Sequence, residues 1–197
     1  MSKIRTSEIH ERNIGGAKLI VEVSFPIPCH PSLYTTLLRQ DLSFRRLAFF
    51  NDIQVGMIGA VAIDDDTATS SISGALPISD VAITTTATSE KVLTKLYILT
   101  LAVLAAYRNC GVGTTLVKEV IDAATLHPYI DEIFLHVWIL NADAIRFYER
   151  LGFKKTENVK NYYRRIESPD AVVMRLQLPK KLQLSDPKLD ENGSTQS

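Results

Sequence analysis

The sequence predicts a mixed α/β domain, in which a sheet carries helices on both of its faces. Two observations lead to this fold class. First, two apolar segments joined by Asn51-Asp52 are typical of an antiparallel hairpin. Second, the later part of the chain alternates strand, helix, strand, helix and strand. Because 197 residues suit one domain with some surplus, we assign residues 1–178 to a single domain.

The first half of the chain supplies three strands and two helices. The two helices differ in strength, because Gly15 and Gly16 weaken the first, whereas the second has proline in its first turn. Strands are predicted at residues 3–9, 44–50 and 53–63, and helices at residues 10–23 and 31–40.

The second half is more strongly patterned. Apolar residues at a spacing of three to four predict an amphipathic helix over 111–126, and Asn141 and Gly152 are a typical N-cap and C-terminal glycine for a helix over 141–151. Strands are predicted at residues 95–104, 130–139, 153–159 and 171–178.

Two segments differ in composition from the rest. Residues 64–91 open with three acids and are rich in Ser and Thr, and residues 179–197 are polar and end in NGSTQS. Neither has enough apolar surface to pack. We interpret the first as an insertion and the second as a disordered tail.

Composition excludes several functions. Lys plus Arg and Asp plus Glu are 22 each, so the balanced charge gives no indication of nucleic-acid or anionic-membrane binding. The two cysteines and four histidines match no metal-binding or redox spacing, so no metal site is predicted. The N-terminus has no apolar signal region, and no segment is long enough to span a bilayer. We therefore expect a cytoplasmic protein, with the nucleus as a second location.

A glycine-containing loop is the strongest local signal. Residues 108–113, RNCGVG, follow a buried strand and open a helix. Glycines allow close approach of the backbone to a ligand, and the first turn of a helix presents free N–H groups to an anion. The segment is neither a Rossmann nor a Walker sequence. By itself it leaves two interpretations open, a phosphate-binding loop or an ordinary strand-to-helix connection.

A second motif occupies residues 141–153, NADAIRFYERLGF. A capped amphipathic helix explains the apolar residues, the Asn141 cap and the final glycine. Amphipathic packing alone does not explain why Asn141 and Tyr148 both lie on the side of the helix expected to face a ligand.

Together, the two motifs resemble the acetyl-CoA motifs of the GNAT superfamily of N-acetyltransferases, R/Q-x-x-G-x-G/A and N-x-x-A-x-x-F-Y-x-x-x-G-F, at the family's separation of one helix and one strand. Further segments resemble the catalytic subunits of NatE-type N-terminal acetyltransferases: LYILTL at 96–101, FLHV at 134–137 and NYYRRI at 161–166, with FPI at 25–27 and LAFFNDI at 47–53. The resemblance covers about residues 3–178, except the insertion. It implies the GNAT fold, a mostly antiparallel twisted sheet of about seven strands whose central pair splays apart.

The resemblance also implies site residues. Tyr97 and His136 are implied as the catalytic pair, which takes up the amine proton through ordered water; without the resemblance, both would be interpreted as core residues. The residues implied to bind acetyl-CoA are Leu101, Ala102, Val103, Arg108, Asn109, Cys110, Gly111, Val112, Gly113, Thr114, Asn141, Ala144, Phe147 and Tyr148. Within that set, a backbone N–H at 101–103 serves the oxyanion, Asn141 holds the pantetheine arm, and Tyr148 meets the departing thiolate.

The peptide slot is implied to involve residues from three parts of the chain: Phe25, Pro26, Ile27, Cys29, Leu99, Tyr162, Tyr163, Arg164, Arg165 and Ile166. Two adjacent tyrosines beside two arginines could instead stack nucleic-acid bases, but the balanced charge disfavours this. Cys29 departs from the family, which has a tyrosine that contacts the peptide there.

The implied activity is acetyl transfer from acetyl-CoA to the α-amine of peptides that begin with methionine and a hydrophobic residue, by direct attack in a ternary complex. The family associates with the auxiliary and catalytic subunits of NatA at the ribosome, which are therefore expected partners. Two alternatives remain: an acetyltransferase for lysine or small amines, and an inactive CoA-binding subunit of a larger complex.

Overall fold

The computed structural model of the chain describes residues 4–25, 29–64, 94–163 and 168–179. Its strands are β1 (Ile4–Glu8), β2 (Arg45–Phe50), β3 (Ile53–Asp64), β4 (Thr94–Val103), β5 (Ile130–Trp138), β6 (Lys154–Val159) and β7 (Ala171–Gln177). They form one sheet in the order β1-β2-β3-β4-β5-β7-β6. Each neighbouring pair is antiparallel except β4 and β5, which are parallel. The predicted mixed sheet of about seven strands is thereby confirmed.

Helices cover both faces of this sheet, as the sequence predicted. The described α-helices are α1 (Ile14–Ser24), α2 (Ser32–Arg39), α3 (Val112–Leu126) and α4 (Ala142–Arg150). Successive strand residues point to opposite faces, so Leu47 of β2 is buried with α1 and α2 whereas Ala48 is buried with α3 and α4. The two helical layers therefore enclose separate halves of the core.

The predicted hairpin between β2 and β3 is present. Its turn residues, Asn51 and Asp52, have φ angles of 48° and 68°. Positive φ at both central residues is the requirement of the type I′ turns that match the twist of paired strands, and Asn and Asp tolerate that conformation better than most residues.

The first predicted helix starts later than the sequence analysis placed it. Residues 10–13 form a turn instead, because the Asn13 side chain accepts a hydrogen bond from His10 N at 2.8 Å and donates one to Glu8 O at 2.8 Å. These bonds compete with a helical turn, and the helix begins at Ile14. Two 3-10 turns that the sequence did not predict, Leu42–Phe44 and Ala105–Tyr107, connect larger elements.

The two compositionally distinct segments fall almost entirely outside the described residues. Only Asp64 of the predicted insertion and Pro179 of the predicted tail are described, so both interpretations remain predictions. Among the helices that the structure describes, none is long and apolar enough to cross a membrane.

Candidate active site

A gap opens between β4 and β5 at the centre of the sheet. The two strands pair in parallel only as far as Tyr97 and Phe134. Immediately beyond, β4 carries one extra residue, Leu99, because Gly59 of β3 pairs with Thr100 and Ala60 pairs with Ile98. A bulge of this kind bends a strand and terminates pairing. The predicted splay of the central strands therefore begins where β4 bulges.

Backbone donors of β4 face this gap. Leu104 N–H donates to Val55 O of β3 at 2.9 Å. Because backbone groups alternate in direction along a strand, the N–H groups of Leu101 and Val103 point away from β3 and towards the gap. The same alternation turns the N–H of Ala102 towards β3, so within 101–103 only Leu101 and Val103 can present a donor to the gap.

The loop from Arg108 to Gly111 lies beside that edge of β4. Arg108 Nε donates to Val103 O at 3.2 Å, which ties the loop to the strand. Asn109 and Gly111 have φ angles of 61° and 85°, and Gly111 is the N-cap of α3. Arg108, Asn109, Cys110 and Gly111 are all exposed. The N–H groups of the first turn of α3, residues 111–114, have no acceptors within the helix, so the exposed loop ends in a site suited to an anion.

The two glycines in this motif serve different purposes. A Cβ on Gly111 would meet only Ile4 at 3.7 Å, so its glycine is required by the positive φ and not by lack of space. Gly113 has no such φ; its Cβ would lie 3.4 Å from Phe147 of α4 and 3.8 Å from Val103 of β4. Gly113 therefore marks the point where α3, α4 and β4 approach one another.

The second motif forms the other side of the gap. Asn141 Oδ1 accepts a hydrogen bond from Ala144 N at 3.1 Å and caps α4, as the sequence predicted. Ala144 and Phe147 are partly buried, whereas Tyr148 is 6% exposed and packs edge-on against Phe147 and Phe153. Burial raises the pKa of Tyr148, and the nearby Tyr163 raises it further. Tyr148 thus stays protonated.

These features fit acetyl-CoA. The first turn of α3 supplies N–H groups and Arg108 a nearby cation for a pyrophosphate, and the free edge of β4 supplies N–H groups for an amide-containing arm. Asn141 is exposed, with its oxygen engaged in the helix cap. When bound, acetyl-CoA supplies the acetyl group as an activated thioester.

Three side chains converge at the end of the gap where β4 and β5 are still paired. The Tyr97 hydroxyl lies 2.8 Å from the Tyr162 hydroxyl and 3.1 Å from His136 Nδ1. The Tyr162 ring stacks on the His136 ring, with centroids 4.2 Å apart and an angle of 9° between their planes. The structure therefore brings together the predicted pair, Tyr97 and His136, and adds Tyr162, which the sequence analysis had assigned to the peptide slot.

Burial keeps these groups neutral. Desolvation lowers the pKa of His136 to about 4, and the positive charge of Arg175 acts in the same direction. Desolvation and the neighbouring Tyr162 raise the pKa of Tyr97 well above its ordinary value, and burial raises that of Tyr162. Near pH 7 the site is thus a neutral imidazole bonded to a protonated phenol.

The predicted peptide slot is described only in part. Phe25 ends α1 and is 38% exposed, and Cys29 is half-buried against the α1–α2 layer. Leu99, the bulge residue, packs against both that layer and the Tyr97 cluster. Tyr163 meets Tyr162 edge-on and donates its backbone N–H to Pro169 O at 2.7 Å. Pro26, Ile27, Arg164, Arg165 and Ile166 lie outside the described residues.

Two supporting interactions were not predicted. Trp138 Nε1 donates to Ser168 O at 2.8 Å and ties Ser168 to the end of β5. Arg175 of β7 pairs with Glu132 and Glu157 and lies 5.3 Å from the Phe134 ring centroid, beside the Tyr97 cluster. The interactions of Arg175 follow from the register of β5 and β7, which cannot be inferred from the sequence. No group of three or more His, Cys, Asp or Glu suited to a metal ion occurs among the described residues.

Comparison with known proteins agrees with this geometry. The family model described as "Acetyltransferase (GNAT) family" matches residues 20–153. The zebrafish (Danio rerio) N-alpha-acetyltransferase 50 is 32% identical over 89% of each chain, and the probable N-acetyltransferase san of Drosophila melanogaster is 31% identical over 88% of this chain and 80% of its own. The structure of Arabidopsis thaliana Naa50 with the bisubstrate analogue CoA-Ac-MVNAL superposes with a TM-score of 0.69 at 31% identity, over 88% of this chain and 97% of that one. The chain therefore belongs to the GNAT acetyltransferase family and is an enzyme that transfers acetyl groups from acetyl-CoA.

Proposed function

We propose that this protein acetylates the α-amine of peptides that begin with methionine followed by a hydrophobic residue. The observation that carries the proposal is the cluster of Tyr97, His136 and Tyr162, which lies where β4 and β5 part and beside the described part of the peptide slot. The similarity to N-alpha-acetyltransferase 50 supports the reaction class. The peptide of the Arabidopsis complex begins with Met-Val, which supports the preference.

The chemistry requires little base strength. A peptide α-amine has a pKa of about 7.7–8.0, so roughly a tenth of it is already neutral at pH 7. Its nitrogen becomes acidic as it bonds to the acyl carbon, and a weak base then suffices to accept the proton. Neutral His136, with a pKa of about 4, bonded to the Tyr97 hydroxyl, is such a base. We propose direct attack in a ternary complex, in which the amine enters from the side of Tyr97 and acetyl-CoA lies on the side of the glycine loop.

The gap itself stabilises the charge that develops on the acyl oxygen. The N–H groups of Leu101 and Val103 are directed into it, and one such donor typically contributes 10²–10³-fold to turnover. Because burial raises the pKa of Tyr148, this phenol is a poor acid. We therefore assign it a hydrogen bond to the departing sulfur and not a proton transfer.

The slot favours an unbranched apolar first residue. Phe25 and Leu99 offer apolar surface on one side, and methionine fills irregular apolar pockets well. Each methylene buried there contributes about 0.8 kcal/mol, so methionine is favoured over alanine or serine by tenfold or more. Tyr163 would hold the first backbone groups of the peptide. Cys29, in place of the family's tyrosine, offers less contact and broadens the preference.

The acetyl-accepting partners are accordingly the N-termini of nascent proteins. We propose the auxiliary and catalytic subunits of NatA as partners at the ribosome, and the cytoplasm, with the nucleus second, as the location. Similarity to the NatE-type catalytic subunits supports both.

A peptide panel tests the proposal. We expect kcat/KM for a Met-Leu peptide to exceed that for a Ser-Glu peptide by at least tenfold, and Tyr163→Ala to reduce peptide use more than acetyl-CoA binding. A higher kcat/KM for Ser-Glu would reject the preference and leave the acetyltransferase assignment. Binding of acetyl-CoA without turnover of any amine would favour the CoA-binding subunit instead.

A further inference from the structure

We propose that Tyr162 is a catalytic residue that receives the amine proton and passes it through Tyr97 to His136. The inference rests on the proposed function and deepens it. It gives Tyr162 a role distinct from peptide binding, and it replaces the ordered water of the family's mechanism with a side chain of this protein.

The Tyr97 hydroxyl is already fully engaged. It lies within hydrogen-bond distance of the Tyr162 hydroxyl on one side, at 2.8 Å, and of His136 Nδ1 on the other, at 3.1 Å. A phenol oxygen that donates to one partner and accepts from another has little capacity for a third. An amine could reach Tyr97 directly only by displacing Tyr162.

Tyr162 is more exposed to solvent than Tyr97. Tyr97 is 8% exposed, whereas Tyr162 is only partly buried; His136 is also partly buried, but its Nε2 atom is buried. Its ring lies flat on His136, with 4.2 Å between centroids, so the hydroxyl is directed at Tyr97 by a fixed ring and not by a free side chain. The next residue, Tyr163, donates its backbone N–H to Pro169 O, and Ser168 O in turn accepts a hydrogen bond from Trp138 Nε1.

The proton transfer balances along this line. As the nitrogen lone pair bonds to the acyl carbon and the electron pair of the carbon–sulfur bond goes to sulfur, one N–H proton passes to the Tyr162 oxygen. The Tyr162 proton passes to the Tyr97 oxygen, and the Tyr97 proton passes to His136 Nδ1. His136 is then a cation, which returns its proton to solvent or to the thiolate. Since burial disfavours every ionised member of the chain, the three transfers occur together.

This direction requires one tautomer of His136. Nδ1 must be the bare acceptor, so the proton sits on Nε2, which is buried and has no partner. Nitrogen-15 chemical shifts of His136 in the free protein distinguish the tautomers without any turnover. We expect the Nε2–H form, and the Nδ1–H form would overturn the proposal.

Kinetics of Tyr162→Phe test the role directly. This variant keeps the ring stacked on His136 and removes only the hydroxyl. We expect kcat to fall by about 10²-fold or more, with KM for the Met-Leu peptide and the acetyl-CoA thermal shift nearly unchanged. A raised KM with wild-type kcat would show peptide binding alone and reject the relay. Tyr129→Phe, the same change at an exposed tyrosine outside the site, should be silent.

A double variant separates a shared chain from independent effects. If the two hydroxyls act in one relay, Tyr97→Phe combined with Tyr162→Phe lowers kcat about as much as either change alone. Multiplicative losses would contradict the relay. A wild-type protein that acetylates no peptide α-amine would refute the proposed function, whereas an active wild type with a fully active Tyr162→Phe refutes only this inference.

Discussion

His136 should make the folded protein sensitive to acid well above the pH at which carboxylates protonate. Burial holds its pKa at about 4, against an ordinary value of 6.5. The folded state therefore favours the neutral ring. Above pH 6.5 His136 is neutral in both the folded and the unfolded state, so it contributes nothing to the pH dependence of the free energy of unfolding. As the pH falls below 6.5 the unfolded chain takes up the proton first, so the free energy of unfolding decreases until the folded ring also titrates near pH 4.

The size of the effect follows from the shift. At pH 5, one and a half units below 6.5 and still above the folded pKa, the loss is about 2 kcal/mol relative to pH 8. With a urea m-value of about 2 kcal/mol/M, that loss moves the unfolding midpoint by about 1 M. His136→Gln keeps a polar side chain beside Tyr97 and does not titrate, so the variant should lose about 2 kcal/mol less over the same interval.

Urea unfolding of both proteins at pH 8, 7, 6 and 5 measures this difference, and the other titrating groups cancel in the comparison. Equal pH dependence of the two proteins would refute the reasoning, because it would mean that the His136 ring is free to protonate in the folded state. His136 should likewise cause no inflection near pH 6.5 in the pH profile of kcat. Any inflection that the wild type shows there should therefore persist in His136→Gln.

Three further predictions concern other parts of the chain. Acetyl-CoA at one hundred times its dissociation constant should raise the free energy of unfolding by about 2.7 kcal/mol. Gly113→Val should abolish the accompanying rise in Tm, because the branches of valine enter the space beside Phe147. Gly113→Ala, whose Cβ would lie 3.4 Å from Phe147, should retain the rise. A normal shift in the valine variant would remove the loop assignment, and Gly111→Val is a poorer test because a valine at φ 85° costs about 1–2 kcal/mol of folding. Arg175→Gln should destabilise the protein by about 3–5 kcal/mol in urea unfolding, because it leaves buried Glu132 without its cation. The double variant Arg175→Met with Glu132→Leu should recover most of that loss. Full stability of the single variant would show that the ion pair is unimportant. Deletion of residues 67–89 should leave unfolding midpoint and acetyl transfer almost unchanged, since loop length changes closure entropy by only about 0.6 kcal/mol per doubling; a collapse of either would mean that the segment is packed.

The parts of the fold that depend on local chemistry could be predicted from the sequence. Asn51 and Asp52 predicted the turn, and Asn141 and Gly152 predicted the two ends of α4. Asn51, Asp52 and Gly152 adopt the positive φ that each position needs, and Asn141 accepts a backbone hydrogen bond three residues away, so all four act locally. Asn13 shows where local patterns compete: its two bonds to neighbouring backbone groups delay α1, although the sequence analysis began this helix at residue 10.

The site was predicted less completely, since its contacts join residues far apart in the chain. The segment LYILTL reads as an uninterrupted strand, and only its pairing with β3 reveals the extra residue at Leu99. The bond between Tyr97 and Tyr162 joins positions 65 residues apart, so no spacing rule could indicate it. The resemblance implied that Arg108 binds acetyl-CoA, but the motif could not predict the hydrogen bond from Arg108 to Val103 O.

One peptide with two amines distinguishes acetylation of an α-amine from acetylation of a lysine side chain. A peptide that begins with Met-Leu and carries an internal lysine is incubated with acetyl-CoA and the purified chain, and fragmentation mass spectrometry locates the acetyl group. We expect acetylation of the α-amine and no reaction once that amine is blocked, because we propose that Phe25 and Tyr163 contact the end of a peptide chain. Acetylation of the lysine side chain, with the N-terminus free or blocked, would contradict it.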